Sequence, residues 1–182
     1  MRYRLKKTVA LVGMMGAGKS AIGKALATVL SVPFVDSDAE IESASNMAIS
    51  EIFIRDGEAF FRAKETQVLT RLLDHDPCVL STGGGAFLTA QNRDLVAAKA
   101  VSVFLEVEPD LLWARVRQKP GRPLLQTPNP HETLKDMLVQ RGPVYALADL
   151  TVSAAPAVSI DQMAERMVAR LLAHAEILEK VA

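Results

Sequence analysis

Two short stretches of this chain carry side chains able to bind phosphate and assist its transfer. The first is Gly13-Met14-Met15-Gly16-Ala17-Gly18-Lys19-Ser20, which matches G-x-x-x-x-G-K-[ST] at every fixed position. Glycines there let the backbone turn tightly, so that its N–H groups face an anion-sized nest at a helix N-terminus. Lys19 adds a point charge for the β- and γ-phosphates, and the Ser20 hydroxyl can ligate Mg²⁺. This chemistry calls for a nucleoside triphosphate and says nothing about what receives the phosphate. The second stretch is Asp36-Ser37-Asp38. Phosphoryl transfer to a hydroxyl needs a metal, cations around the moving group and a carboxylate at the attacking oxygen. One of the two aspartates would serve the metal through water and the other would face the acceptor. If the strand before them continues, they share one of its faces.

Arginines supply the remaining charge. Arg62 has Glu65 three residues on, and that spacing alone describes an exposed ion pair on a helix. Arg122, in a proline-rich loop, could close over phosphates as an arginine finger or simply lie on a loop. Arg141 precedes Gly142-Pro143 and reads locally as a cation at a helix end. Arg115 and Arg117 read as the polar face of a helix. His75, His131 and His174 stand too far apart for a metal site. Cys78 is the lone cysteine, in an apolar run, and reads as a small core residue.

The elements that must position these groups alternate in type. The run Thr8-Val9-Ala10-Leu11-Val12 predicts a buried strand ahead of the phosphate loop, and 19–30 a helix behind it. Val32-Pro33-Phe34-Val35 predicts a second strand ending at Asp36, followed by a helix over 39–46. Ser50 is the expected cap of a short turn that Asp56-Gly57 closes. Helical spacing of Phe61, Val68, Leu69 and Leu72 predicts a helix over 58–73. A third strand over 77–81 runs into the glycine turn Gly83-Gly84-Gly85, with a helix after it near 92–98. The fourth strand spans 101–107, and Pro109 opens a helix to about residue 118. The stretch 119–130 holds four prolines and two cations and is expected to form a mobile lid. Helical pattern returns over 131–147 with a break at Gly142-Pro143. A fifth strand over 150–154 and a closing helix over 158–178 complete the chain. The expectation is an α/β, three-layer α/β/α fold on a five-stranded parallel sheet. Its carboxyl edge would gather the phosphate loop, the aspartate pair, the triple glycine and Glu106.

At 182 residues and 49% hydrophobic content the chain supports a packed core, and 1–182 reads as one domain. Lys plus Arg equals Asp plus Glu at 21 each, so no global field attracts nucleic acid. Arg2, Arg4, Lys6 and Lys7 before an apolar run imitate a secretory leader. That run contains phosphate-loop positions, however, and no apolar stretch is long enough to span a bilayer. A cytoplasmic monomer without membrane or nucleic-acid partners is expected.

From Val9 to about Pro156 the chain resembles the shikimate kinases, small phosphate-loop kinases. The resemblance rests on a combination: Asp36-Ser37-Asp38, Ile52-Phe53, Asp56-Gly57-Glu58 with Phe61-Arg62 and Glu65, Gly83-Gly84-Gly85, Arg122-Pro123-Leu124-Leu125, and Arg141-Gly142-Pro143 with Tyr145. It implies transfer of the ATP γ-phosphate to the 3-hydroxyl of shikimate, on the route to chorismate and the aromatic amino acids. It further implies that Asp38 binds the ring hydroxyls and orients or deprotonates the nucleophile, with Lys19 and Arg122 also catalytic. Arg62 and Arg141 would grip the shikimate carboxylate, Gly83, Gly84 and Gly85 would approach the substrate through backbone, and Phe53 and Phe61 would wall the pocket. A helical segment over about 38–66 would thus bind shikimate, and a lid over about 118–130 would carry Arg122. Gly16, Ala17, Gly18, Lys19, Ser20 and Ala21 would hold ATP, with Arg115 and Pro156 near adenine, and Ser20 and Asp36 would serve Mg²⁺. Ala21 stands where the family usually has Thr. Ala154 stands near a place where some members have a nucleotide-contacting arginine. A related kinase with another acceptor, such as gluconate or a nucleotide, and an ATP-binding module without transfer activity are the alternatives.

Overall fold

The computed structural model describes residues 1–119 and 126–182. Its central strand is β2 (Thr8–Val12), in which every residue is buried. Only a strand covered on both faces tolerates so continuous an apolar run. Around it lie β3 (Phe34–Asp36), β4 (Val79–Ser81), β5 (Ala100–Glu106) and β6 (Leu150–Ser153). The order is β3-β4-β2-β5-β6 and every neighbouring pair is parallel. Successive side chains of a strand point to opposite faces, and the core divides accordingly. Val9 and Leu11 join the larger cluster with Ile22, Leu26, Met163 and Met167. Ala10 faces a second cluster that includes Ile41, Ile52, Phe61, Leu69 and Leu80. The expected three-layer α/β/α fold is therefore observed.

Helix α1 (Lys19–Leu30) begins at Gly18, whose φ of 95° is a left-handed conformation that disfavours a Cβ. Gly16 has φ 78°, and a Cβ there would meet Val116 Cγ1 at 2.4 Å. The loop thus packs directly on α6 (Pro109–Val116). Helix α2 (Ser37–Ser45) starts at once after β3, with Asp36 as its N-cap: Asp36 Oδ1 accepts from Ala39 N at 3.1 Å. Asp38 therefore lies in the first helical turn, one residue past the N-terminal Ser37, and not on a continuing strand face.

Other boundaries also differ from expectation. A full helix, α3 (Ile49–Asp56), replaces the short turn, and its cap is Ala48 rather than Ser50. Helices α4 (Glu58–Leu72) and α5 (Ala90–Lys99) flank β4, with a 3₁₀ turn at Ala86–Leu88 between them. Helix α7 (Pro130–Tyr145) runs through Gly142-Pro143 without a break. Pro143 removes one amide donor in the last turn, and Val139, whose carbonyl loses it, is 77% exposed and open to water. The closing helix α8 (Ile160–Leu172) is shorter than expected and starts on a capping box between Ser159 and Gln162. Leu178 keeps the helical spacing but belongs to β7 (Leu178–Val181), which pairs antiparallel with β1 (Arg2–Leu5). Glu179 ties that small sheet together through Arg4 at 3.1 Å and Lys6 at 2.6 Å.

Candidate functional site

The adjacent strands β3, β4 and β2 deliver their carboxyl ends side by side, which places the aspartate pair, the triple glycine and the phosphate loop next to one another. A cavity of about 320 Å³ lies among them, lined by Lys19, Ser20, Asp36, Asp38, Gly83 and Gly84 with further loop residues. Lys19 is 8% exposed, and its Nζ donates to Gly13 O at 2.7 Å and Met14 O at 2.9 Å. The ammonium is thus held against the loop that would cradle phosphate. Ser20 Oγ donates to Asp36 Oδ2 at 3.1 Å. A hydroxyl and a carboxylate so close suit Mg²⁺, which takes few protein oxygens and completes its shell with phosphate and water. Among the described residues no cluster of three or more His, Cys, Asp or Glu could hold a metal.

A second cavity of about 470 Å³ continues from the loop. It shares Gly16, Gly18, Ala21 and Lys119 with the first and adds Arg115, Val158 and Ile160. Ala17, 1% exposed, lies beneath; its carbonyl accepts from Arg115 Nη1 at 3.2 Å. Pro156 is not part of this wall, whereas Val158 two residues on is. Glu106 lies apart, at the exposed end of β5, where it accepts from Ser153 Oγ at 2.9 Å.

The acceptor side is built on the glycine turn. A Cβ at Gly83 would lie 2.6 Å from Asp38 Oδ1, so the carboxylate rests directly on that backbone. At Gly85 a Cβ would lie 2.3 Å from Arg62 Nη2, and the guanidinium lies on the turn in the same way. Between them, the Tyr145 hydroxyl donates to Gly84 O. Burial pushes this phenol's pKa up, while Arg141, by charge and hydrogen bond, and Arg62, by charge, act against the rise. Asp38 and Arg62 therefore rest on one short turn, Lys19 lines the cavity beside it, and Arg141 acts on the tyrosine that bonds it. Phe61 is buried, 4.8 Å from the half-open Phe53 between ring centroids, and the Arg62 guanidinium lies 5.1 Å from the Phe61 ring centroid.

Burial raises the pKa of Asp38, and the neighbouring Asp36 raises it further; Lys19 and Arg62 pull it down without cancelling the rise. Glu65 behaves alike: burial raises it, with Arg62 opposing. Its residue is fully buried, Oε1 accepts from Arg62 Nη1 at 2.9 Å, and Oε2 has no hydrogen-bond partner among the described residues. The Arg62–Glu65 spacing suggested an exposed pair, but Glu65 lies beneath the arginine and orients it. The signal was present: Glu65 falls in the buried stripe of Phe61, Val68, Leu69 and Leu72 on α4. Arg122 falls at 120–125, outside the described residues.

Comparison with known proteins bears on this geometry. A family model described as shikimate kinase matches residues 15–172. A shikimate kinase of Cereibacter sphaeroides is 58% identical over 97% of this chain and 88% of its own length. One of Ruegeria pomeroyi is 55% identical over 96% of this chain and 90% of its own. Among solved structures, a shikimate kinase from Acinetobacter baumannii in complex with shikimate superposes with a TM-score of 0.86. It is 37% identical, covering 92% of this chain and 93% of that one.

Proposed function

The chain belongs to the shikimate kinase family, and we propose that it transfers the γ-phosphoryl group of ATP to the 3-hydroxyl of shikimate through the site around the 83–85 turn. The products are 3-phosphoshikimate and ADP, and the role is that of the family, a step toward the aromatic amino acids. The whole chain, 1–182, acts as one kinase domain, and its use of ATP is the support for a cytoplasmic location.

One observation carries the assignment of residues. Asp38 and Arg62 rest on the same glycine turn, Arg141 reaches it through Tyr145, and Lys19 lines the cavity alongside. That spacing suits a small ring bearing a carboxylate on one side and hydroxyls on the other. Arg62 and Arg141 hold the carboxylate, since guanidinium pairs with it through two parallel N–H donors. Asp38 accepts a hydrogen bond from the 3-hydroxyl. Its desolvation makes it a stronger base than an ordinary aspartate, which favours withdrawal of the hydroxyl proton as the oxygen attacks phosphorus. The O–P bond to shikimate forms as the bond from phosphorus to the β,γ-bridging oxygen breaks, and ADP leaves with that electron pair. The proton passes to Asp38 and then to solvent.

On the donor side, the N–H groups of the phosphate loop and Lys19 hold the β- and γ-phosphates in line. Gly16, Ala17, Gly18, Ser20 and Ala21 form this cradle, and the cavity beside Arg115 takes the adenosine. Ser20 and, through water, Asp36 would hold Mg²⁺, which would supply positive charge to neutralise the phosphates. The resemblance to the family gives Arg122 the role of a further cation toward the phosphates. The decisive experiment incubates the protein with Mg-ATP and shikimate and follows ADP release. Shikimate-dependent turnover is expected; ADP release with gluconate or a nucleotide and none with shikimate would overthrow the assignment.

A further inference from the structure

Asn92 is 1% exposed and lies on α5, a helix that lends no residue to either cavity of the site. Both polar atoms of its side chain are nonetheless engaged, between two parts of the acceptor region. Thr66 Oγ1 donates to Asn92 Oδ1 at 2.8 Å, and Asn92 Nδ2 donates to Ala86 O at 2.9 Å. Thr66 stands on α4, one turn after Arg62 and next to Glu65. Ala86 is the residue after Gly85, the glycine on which the Arg62 guanidinium lies. The amide therefore closes a loop: Arg62 to Thr66 along α4, Thr66 to Asn92 to Ala86 by hydrogen bonds, and Ala86 back to Gly85 beneath Arg62.

A turn as short as Ala86–Leu88 satisfies its own carbonyls poorly: only that of Ala86 is met locally, by Thr89 N at 3.4 Å. The next residue, Arg93, takes two of them, donating from Nη1 to Phe87 O at 2.9 Å and to Leu88 O at 3.0 Å. Asn92 differs from Arg93 in reaching onward to the helix that bears the substrate arginine. An aliphatic residue of equal size would fill the space but leave the Thr66 hydroxyl without its acceptor and the Ala86 carbonyl with only the long 3.4 Å bond from Thr89 N.

We propose that Asn92 is a positioning residue for the acceptor half of the site, fixing the spacing between α4 and the glycine turn so that Arg62 meets the substrate carboxylate. The idea rests on the reading of Arg62 given above. Its signature is selective. Loss of the clamp shifts Arg62 against the turn, whereas the phosphate loop meets that turn at Gly84, beside Met15 N, and makes no hydrogen bond with Asn92 or Thr66 among the described residues.

The test is steady-state kinetics of the full-length enzyme with Asn92→Leu, Thr66→Val, Thr66→Ser and Arg62→Ala. Asn92→Leu is expected to raise the KM for shikimate about tenfold while the KM for ATP stays within about twofold. Thr66→Val removes only a hydroxyl and should raise the shikimate KM roughly threefold, and Thr66→Ser, which keeps the donor, should restore it. Should Asn92→Leu fail to fold, the threonine pair decides. Equal shikimate KM values for Thr66→Val and Thr66→Ser overturn the inference, as does a parallel change in both substrates' KM values. If Arg62→Ala leaves the shikimate KM unchanged, the reading of Arg62 fails instead. If Arg62→Ala raises it and the clamp variants do not, only the role of Asn92 falls.

Discussion

Replacing Gly85 by alanine should displace Arg62 without straining the backbone. Gly85 has φ −96° and ψ −8°, a region open to any L-residue. The new Cβ would lie 2.3, 2.5 and 2.7 Å from Arg62 Nη2, Nη1 and Cζ. Ordinary contact needs about 3.5 Å, so the guanidinium must move by roughly 1 Å. Being the far end of a flexible side chain it can do so, but only by loosening its 2.9 Å bond to Glu65, which is fully buried. Hydrogen bonds to charged groups contribute about 1.5–3 kcal/mol, and the grip on a substrate carboxylate lost by the same movement is of that order. At about 1.4 kcal/mol per factor of ten, the KM for shikimate should rise about 10- to 150-fold. The ATP side is untouched, so its KM should stay within about twofold. Initial rates of ADP release, with each substrate varied at saturation of the other, measure both. A folded Gly85→Ala protein with an unchanged shikimate KM would refute the placement of Arg62 as the carboxylate ligand.

Asp38→Asn should reduce transfer by about 10²- to 10⁴-fold with little change in ATP affinity, since it touches only the acceptor hydroxyl. The same change should raise Tm at pH 8. A carboxylate whose pKa is raised in the fold binds its proton more tightly there than in the unfolded chain, so stability falls as pH rises from 3.8 through the raised value. That deficit persists above it and disappears with Asn. A lower Tm for Asp38→Asn by thermal denaturation at pH 8 would contradict this. In the parent enzyme, the acid limb of kcat/KM for shikimate should fall above pH 3.8, because the base must be ionised and burial holds its proton on; a limb at or below 3.8 would exclude Asp38 as the base. Ser20→Ala should raise the Mg²⁺ concentration needed for half-maximal rate, by roughly threefold or more, since one oxygen ligand is removed; a magnesium titration at fixed ATP would detect it.

Much of the fold was readable because its signals are local. An unbroken apolar run means a strand covered on both sides, and Gly-x-x-x-x-Gly-Lys-Ser marks where such a strand turns into a helix. Five strands separated by helical stretches leave little choice but a parallel sheet. Element ends were less legible. Asp36 ends β3 and at the same time caps α2 through its bond to the Ala39 amide, which stops the strand short of Asp38. Leu178 fitted the helical stripe of α8, yet it pairs with Leu5, more than 170 positions away in the chain.

The chain by itself determined the chemistry on offer: a phosphate cradle, two aspartates after the second strand of the main sheet, and arginines at separated positions. Only the tertiary structure decided which of these meet. Residues 38, 62, 85 and 141 have no short-range relation that spacing could express. Burial, the property that turns Arg62–Glu65 from a surface pair into a positioned one and raises the basicity of Asp38, is a sum over neighbours from several helices and strands. Residue types are written in order along the chain, whereas desolvation and distance exist only after it has closed upon itself.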